Sequence, residues 1–386
     1  MTTKAIFGAR IFDGDAWHDG KALLLSGGRI EAIVSPDDIP ADAQRIDAGG
    51  GILVPGFIDL QVNGGGGVML NDAPSADAIA QICAAHARFG TTALLPTLIT
   101  DNSEITAAAV AAGRQAAAEK VPGFIGLHLE GPHLSIARKG AHDPNLIRPM
   151  EEADLARLLD CANAFEAFMT TVAPENVTVE QVAALAKAGV IVSLGHTDTT
   201  YATASAYAKA GARTVTHLYN AMSPLGHREP GMVGAALDVA GLYAGLIADG
   251  FHVEPASMAI ALRAKRGEGK IFLVTDAMST IGTDLPGFTL NGRQILRHGG
   301  RLTLADGTLA GADIDMLSSI RFLHERLGLP LEEAIRMATV YPAEAVRIEN
   351  RRGRLQQGLA ADFVLLDDGL AMKSTWIGGE AVFQAR

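Results

Sequence analysis

The stretch VPGFIDLQVNGGGG, residues 54–67, decides how the rest of the chain is read. Its centre, Gly56 to Val62, is a short apolar run bounded by proline and glycine, which predicts a buried strand ending in a glycine-rich turn. Runs of the same kind follow: TTALLPTLIT (91–100), FIGLHLEG (124–131), AFMTTVAPE (167–175), VIVSLGH (190–196), TVTHLYN (214–220), LYAGLIADG (242–250) and IFLVTDAM (271–278). Alanine-rich helical stretches alternate with them, most clearly at 75–89, 103–119, 151–163, 178–188, 200–210 and 254–265. Counting the opening stretch, there are eight strand-like runs. Eight parallel βα units close a barrel, so the expected fold is α/β, a (β/α)8 TIM-like barrel.

The two ends of the chain read differently. Residues 1–52 break into short strands separated by turns, and 359–386 has the same alternating, glycine-punctuated pattern. A small β-sandwich domain built from both termini is expected, with 1–52 and 357–386 as its parts and 53–356 as the barrel. FTLNGRQILRHGGRLTLADG (288–307) reads as an inserted hairpin, with helices at 313–327 and 331–339 after it.

Composition narrows the function. Hydrophobic residues make up 48% and charged residues 19% of 386, which suits one large core rather than disorder. A net charge of −11 argues against general nucleic-acid or anionic-membrane binding, while leaving room for a small anionic ligand held by a few local cations. Cys83 and Cys161 fall in helical stretches and give no disulfide framework. No apolar run is long enough to span a bilayer, and no apolar segment with a cleavage site opens the chain. A cytoplasmic location is the expectation.

The placement of polar residues carries the chemistry. Most runs end in a reactive side chain: Gln61, Glu130, His196, His217, Asp249 and Asp276. In such barrels the active site is built at the carboxyl ends of the strands. Glu130, His196 and His217 make one carboxylate and two imidazoles, a common catalytic zinc set with a fourth position left open for water. Asp276 is the candidate general base and later acid. Each residue alone reads as a locally bonded strand end; their convergence on one mouth favours chemistry. Metal-dependent barrel hydrolases often end the first strand in His-x-His, but here those positions are Gln61 and Asn63. Either no metal is held, or one is held where relatives hold two.

Other groups are weighed in the same way. His128, two residues before Glu130, reads equally as a partner of the site or as a satisfied buried histidine. His133 and His142 lie in a loop placed to cover the mouth, and one of them is positioned to polarise a substrate carbonyl. His86 and His324 read as packing or surface residues. Asn220, His227 and Arg228, with His252 after the seventh run, form a weak anion-binding candidate on composition alone. Gly64 to Gly67 read as a flexible turn, since no Walker pattern accompanies them.

In order, PGFIDLQVNGGGG, GLHLEGPHL, KGAHDPN, SLGHTDT, THLYNAM, REPG, ADGFHV and LVTDAM resemble the N-acetylglucosamine-6-phosphate deacetylases of the amidohydrolase superfamily. The closing G-x-L-x-x-G-L-x-A-D-F, Gly353 to Phe363, extends the resemblance over nearly the whole chain. It implies hydrolysis of N-acetylglucosamine 6-phosphate to glucosamine 6-phosphate and acetate. By motif it implies Glu130, His196 and His217 as metal ligands, Asp276 as acid and base, and His142 as the residue that polarises the amide carbonyl. It also implies substrate contacts from Asn220, Ala221, Leu309, Ala310 and Gly311, and phosphate contacts from Arg228 and His252. Such deacetylases are usually homo-oligomers, so the resemblance also implies a dimer or dimer-based tetramer, with Arg228 reaching a neighbour's site. Members with Gln-x-Asn hold one metal, so one divalent ion per chain is expected, zinc before iron or another ion, with Gln61 and Asn63 as hydrogen-bond partners around it. Two rival readings remain at this point: another amidohydrolase, such as a cyclic amidase or dipeptidase, acting on a non-phosphorylated amide, and a metal-free scaffold barrel.

Overall fold

The computed structural model describes residues 2–290 and 292–385. Eight parallel strands occur in chain order around one sheet: β1 (Phe57–Val62), β2 (Thr91–Ile99), β3 (Gly126–Glu130), β4 (Ala167–Val172), β5 (Ile191–Leu194), β6 (Thr214–Val215), β7 (Tyr243–Leu246) and β8 (Ile271–Leu273). The ring closes just past β8, where Asp276 N donates to Gln61 O at 2.9 Å and Asn63 N donates to Ala277 O at 2.9 Å. The barrel expected from the repeated apolar runs is therefore present.

Its helices start and stop on local chemistry. Ser75 and Asn102 side chains accept amide protons at the starts of Ala76–Ala87 and Ser103–Glu119, and Thr178 with Gln181 forms a capping box before Val179–Ala188. Helix Tyr201–Ala210 ends on Gly211 in the left-handed region. A helix at Gly231–Asp238, between β6 and β7, was not apparent in the sequence pattern. Cys83 and Cys161 are both buried, as expected of core residues.

Two apolar layers hold the barrel. The larger lies between strands and helices; the smaller fills the interior, where Ile58, Leu95, Met169 and Phe272 pack with Ala343 and Val346. The short helix Val340–Ala345 thus contributes to the interior plug. Polar side chains are left for the opposite end of the strands, where the site forms.

Two further sheets come from the chain ends. One orders Arg29–Val34, Ala22–Ser26, Lys4–Phe7 and Gln44–Asp47; the other joins Ile52–Pro55 to Arg10–Phe12 on one side and Phe363–Leu366 on the other. Ile6, Leu23, Leu53, Phe363 and Trp376 share the core between these sheets, giving the expected β-sandwich. The insertion after β8 is a four-stranded antiparallel sheet running from Gly287–Leu290 to Leu309–Ala312. Leu290, Ile295, Leu302 and Ala310 pack on Met69, Ile99 and Met278, which anchors this sheet beside the barrel mouth.

Candidate active site

Glu130 ends β3, whereas His196, His217 and Asp276 lie just beyond β5, β6 and β8. These three have φ of 47°, 29° and 52°. Left-handed backbone at a non-glycine residue costs on the order of 1–3 kcal/mol, and such strain gathers where a side chain must be aimed. Here it turns each chain end inward to one point. Glu130 Oε1 lies 3.2 Å from both His196 Nε2 and His217 Nε2, and the two Nε2 atoms are 3.0 Å apart.

That spacing suits a metal. A tetrahedral ion about 2.0–2.1 Å from each donor separates the donors by roughly 3.3 Å. His196 Nδ1 is 2.8 Å from the Arg138 carbonyl, an acceptor that leaves Nε2 free to ligate. His217 Nδ1 is buried without a protein partner. Glu130, His142 and His196 also bring donor atoms within 4.8 Å of one another, so geometry alone admits His142 as an alternative third ligand. Both groupings share Glu130 and His196.

Electrostatics sharpen the picture. Burial alone would raise the Glu130 carboxyl, but the His196 and His217 imidazoles hold it well below the usual carboxylate range. Burial, and then the Glu130 charge, push Asp276 up to about 6. Burial, and then His196, push His142 down to about 3. Gln61 Nε2 donates to Glu130 Oε1 at 3.2 Å and to Asp276 Oδ1 at 3.1 Å, and Asn63 Nδ2 donates to Asp276 Oδ1 at 2.7 Å. Asn63 Oδ1 remains buried without a partner.

These groups line a cavity of about 240 Å³. Asn63, Glu130, His142, His196, His217, Asn220, Ala221, His252, Asp276, Leu309 and Gly311 all border it. Gln61 does not border it but bonds to Glu130 and Asp276, which do. Ala310 packs its methyl into the apolar cluster under the inserted sheet instead. Arg228 lies on an exposed loop and does not border the cavity, nor does His227. Among the described residues lining the cavity there is no lysine or arginine.

The remaining histidines sort clearly. His128 is fully buried, with ring nitrogens 3.1 Å from Leu60 O and 2.7 Å from Thr171 Oγ1; it reads as a satisfied interior residue. His133 faces Arg148 O and Asp154, away from the cavity, so of the two loop histidines His142 is the one at the mouth. His86 and His324 each bond a backbone carbonyl. Two participants had no assigned role in the sequence. Asp249 accepts from the Phe251 and His252 amides at 2.8 Å and lies 2.6 Å from His252 Nδ1, fixing that ring at the cavity wall. Thr100 touches His142 through both its hydroxyl and its amide.

A model of the amidohydrolase family matches residues 52–382. The chain belongs to the amidohydrolase family. Among similar proteins, an N-acetylgalactosamine-6-phosphate deacetylase of Shewanella sp. (strain ANA-3) is 44% identical over 89% of this chain and 86% of its own. An N-acetylglucosamine-6-phosphate deacetylase of Haemophilus influenzae is 38% identical, over 93% and 94%. The crystal structure of N-acetylglucosamine-6-phosphate deacetylase from Pasteurella multocida superposes with a TM-score of 0.94 at 35% identity, covering 98% of this amidohydrolase and 99% of that chain. A Mycobacterium smegmatis variant in complex with N-acetyl-D-glucosamine 6-phosphate superposes at 0.91 and 31% identity, with both chains fully covered.

Proposed function

We propose that this amidohydrolase removes acetate from N-acetylglucosamine 6-phosphate, producing glucosamine 6-phosphate in amino-sugar catabolism. The observation that carries the reading is the convergence of Glu130, His196 and His217 beside Asp276 in one buried cavity. Its close resemblance to named sugar-phosphate deacetylases supplies the substrate class. A cytoplasmic location fits a phosphorylated substrate.

A single divalent ion held by Glu130, His196 and His217, zinc by preference, would acidify water and polarise the amide carbonyl. Asp276 takes the proton of the attacking water, and the same carboxyl later hands a proton to the departing amine. His142 faces the carbonyl oxygen as its negative charge grows. Asn220, Ala221 and the Leu309–Gly311 turn position the sugar, and His252, held by Asp249, meets its phosphate. With no lysine or arginine among the described lining residues, the phosphate charge is incompletely met within one chain. Arg228, exposed on its loop, supplies the missing cation to a neighbouring copy in a dimer or dimer-based tetramer.

The 4-epimer, N-acetylgalactosamine 6-phosphate, is a second reading, favoured by the 44% identity to a relative named for it. Acetate release from both 6-phosphates and from unphosphorylated N-acetylglucosamine tests the proposal. The two phosphorylated sugars are ranked by kcat/KM. Equal activity on the free sugar would overturn the phosphate assignment.

A further inference from the structure

We infer that Thr100 is a positioning residue that fixes His142 as a hydrogen-bond donor, while the Arg138 carbonyl fixes the adjacent His196 in the opposite sense. The identity of the acceptor, a substrate carbonyl, rests on the function proposed above; the assignment of the protons does not.

The two rings meet edge to face with centroids 4.4 Å apart, yet their Nδ1 atoms meet opposite chemistry. His196 Nδ1 lies 2.8 Å from Arg138 O. A carbonyl only accepts, so Nδ1 carries the proton, and Nε2 turns its lone pair to the point it shares with Glu130 Oε1 and His217 Nε2, where a cation would be held. His142 Nδ1 instead accepts from the Thr100 amide at 3.3 Å. An amide N–H only donates, and a proton on His142 Nδ1 would point straight at it. The Thr100 hydroxyl lies 2.7 Å from the same nitrogen and 3.4 Å from the Glu130 carbonyl oxygen; with the amide already donating to Nδ1, the hydroxyl proton turns to the nearer acceptor, the ring. The one lone pair of Nδ1 is therefore shared between the Thr100 amide and hydroxyl, and the single proton of the neutral ring sits on Nε2.

This resolves which histidines ligate. A ring with its proton on Nε2 cannot ligate through that atom, although His142 lies within ligand distance of Glu130 and His196. It can donate to a carbonyl oxygen and to the charge that grows there. The arrangement is enclosed: Thr100 is buried, and a Cβ on Gly131 would fall 2.1 Å from its hydroxyl oxygen. Gly131, at φ 94°, both adopts the left-handed turn and leaves room for that hydroxyl.

The test uses the full-length, zinc-loaded protein with ¹⁵N-labelled histidine, whose two-bond ¹⁵N–¹H correlations report the tautomer of each ring. His142→Gln identifies the His142 signals by their disappearance. The expected result is a proton on Nε2 of His142 and on Nδ1 of His196; a proton on Nδ1 of His142 overturns the inference. Thr100→Val keeps the shape and loses the hydroxyl, and should lower kcat roughly three- to tenfold, with KM and bound metal within about twofold of the parent. Thr100→Ser should restore kcat. An unchanged kcat in Thr100→Val, or loss of its metal, overturns the positioning role. If Thr100→Val does not fold, the tautomer measured in the unmodified protein decides. Failure of the unmodified protein to release acetate from either sugar phosphate would sink the proposed function and leave the proton assignment standing.

Discussion

Asn63 Nδ2 lies 2.7 Å from Asp276 Oδ1, and Gln61 Nε2 approaches the same oxygen at 3.1 Å. Both amides of the first strand therefore act as donors to a carboxylate. A donor favours the ionised form of the group it touches, so Asn63 holds Asp276, the residue proposed for proton transfer, toward its ionised form.

The consequence is a pH dependence with a defined sign. Burial and the Glu130 charge raise Asp276 to about 6, and a base must be ionised to act. We expect kcat/KM to climb as pH rises through about 6. Asn63→Ala removes one stabilising donor and should move this limb to higher pH. A pH–rate profile in which the limb stays put would show that Asn63 does not tune the base.

Asp276→Asn should retain the metal while losing turnover by about 10²- to 10⁴-fold, the usual cost of losing a general acid–base. Elemental analysis alongside single-turnover acetate release separates the two effects. Near-normal kcat in a metal-loaded variant would assign proton transfer to another residue.

One metal per chain is expected. A second ion would need ligands from Gln61 and Asn63, whose N–H groups instead point at Glu130 and Asp276. Gln61→Ala should impair metal affinity or activity by about 10- to 100-fold without abolishing either. Changing both positions to histidine should create a weak second site. Two firmly retained ions in the unmodified protein would refute the single-metal reading.

Arg228→Ala should weaken affinity for the phosphorylated sugar by about ten- to a hundredfold, as expected from losing charge-assisted bonds. Preference over the free sugar should fall with it. Mixing Arg228→Ala chains with Asp276→Asn chains should recover activity, because one hybrid site has both residues intact. No recovery despite demonstrated subunit exchange would argue against a cation shared between copies.

Asp59 makes a separate prediction about stability. It is fully buried, and burial raises it from an ordinary 3.8 to about 7 despite bonds from Thr275 and Gln61. A raised folded value means that its favourable contribution is complete below about pH 4 and is lost as pH rises through about 7. The full shift corresponds to about 4 kcal/mol. Asp59→Asn should therefore gain stability relative to the parent between pH 5 and pH 8, read from urea midpoints. A difference that does not change with pH would place the Asp59 titration elsewhere.

What the sequence revealed follows from what each signal depends on. The eight strands were legible because strands covered on both faces leave continuous apolar runs, and the carboxyl-end rule then located Glu130, His196, His217 and Asp276. Helix Gly231–Asp238 was hidden by Pro230 and by glycines at 231 and 234, which read locally as loop. Thr100 was invisible because part of its contribution is a backbone amide, which every residue except proline carries. The wall formed by Leu290 and Thr308 depends on where the inserted sheet packs, information no local pattern contains. Arg228 drew its assignment from resemblance, since an exposed loop arginine has no distinguishing local signature.

The sheet that carries Ile52–Pro55 also has a bearing on biosynthesis. This segment leads directly into β1, but its partner Phe363–Leu366 follows the whole barrel in the chain and so leaves the ribosome after it. Throughout translation of the barrel, the nascent protein therefore carries an apolar strand with one edge open, the kind of template that invites intermolecular pairing. A product released before Phe363 would retain every side chain of the catalytic cavity and still present that edge. Such fragments should be lost to aggregation, making the Phe363–Leu366 strand a checkpoint on whether a chain with a finished cavity persists.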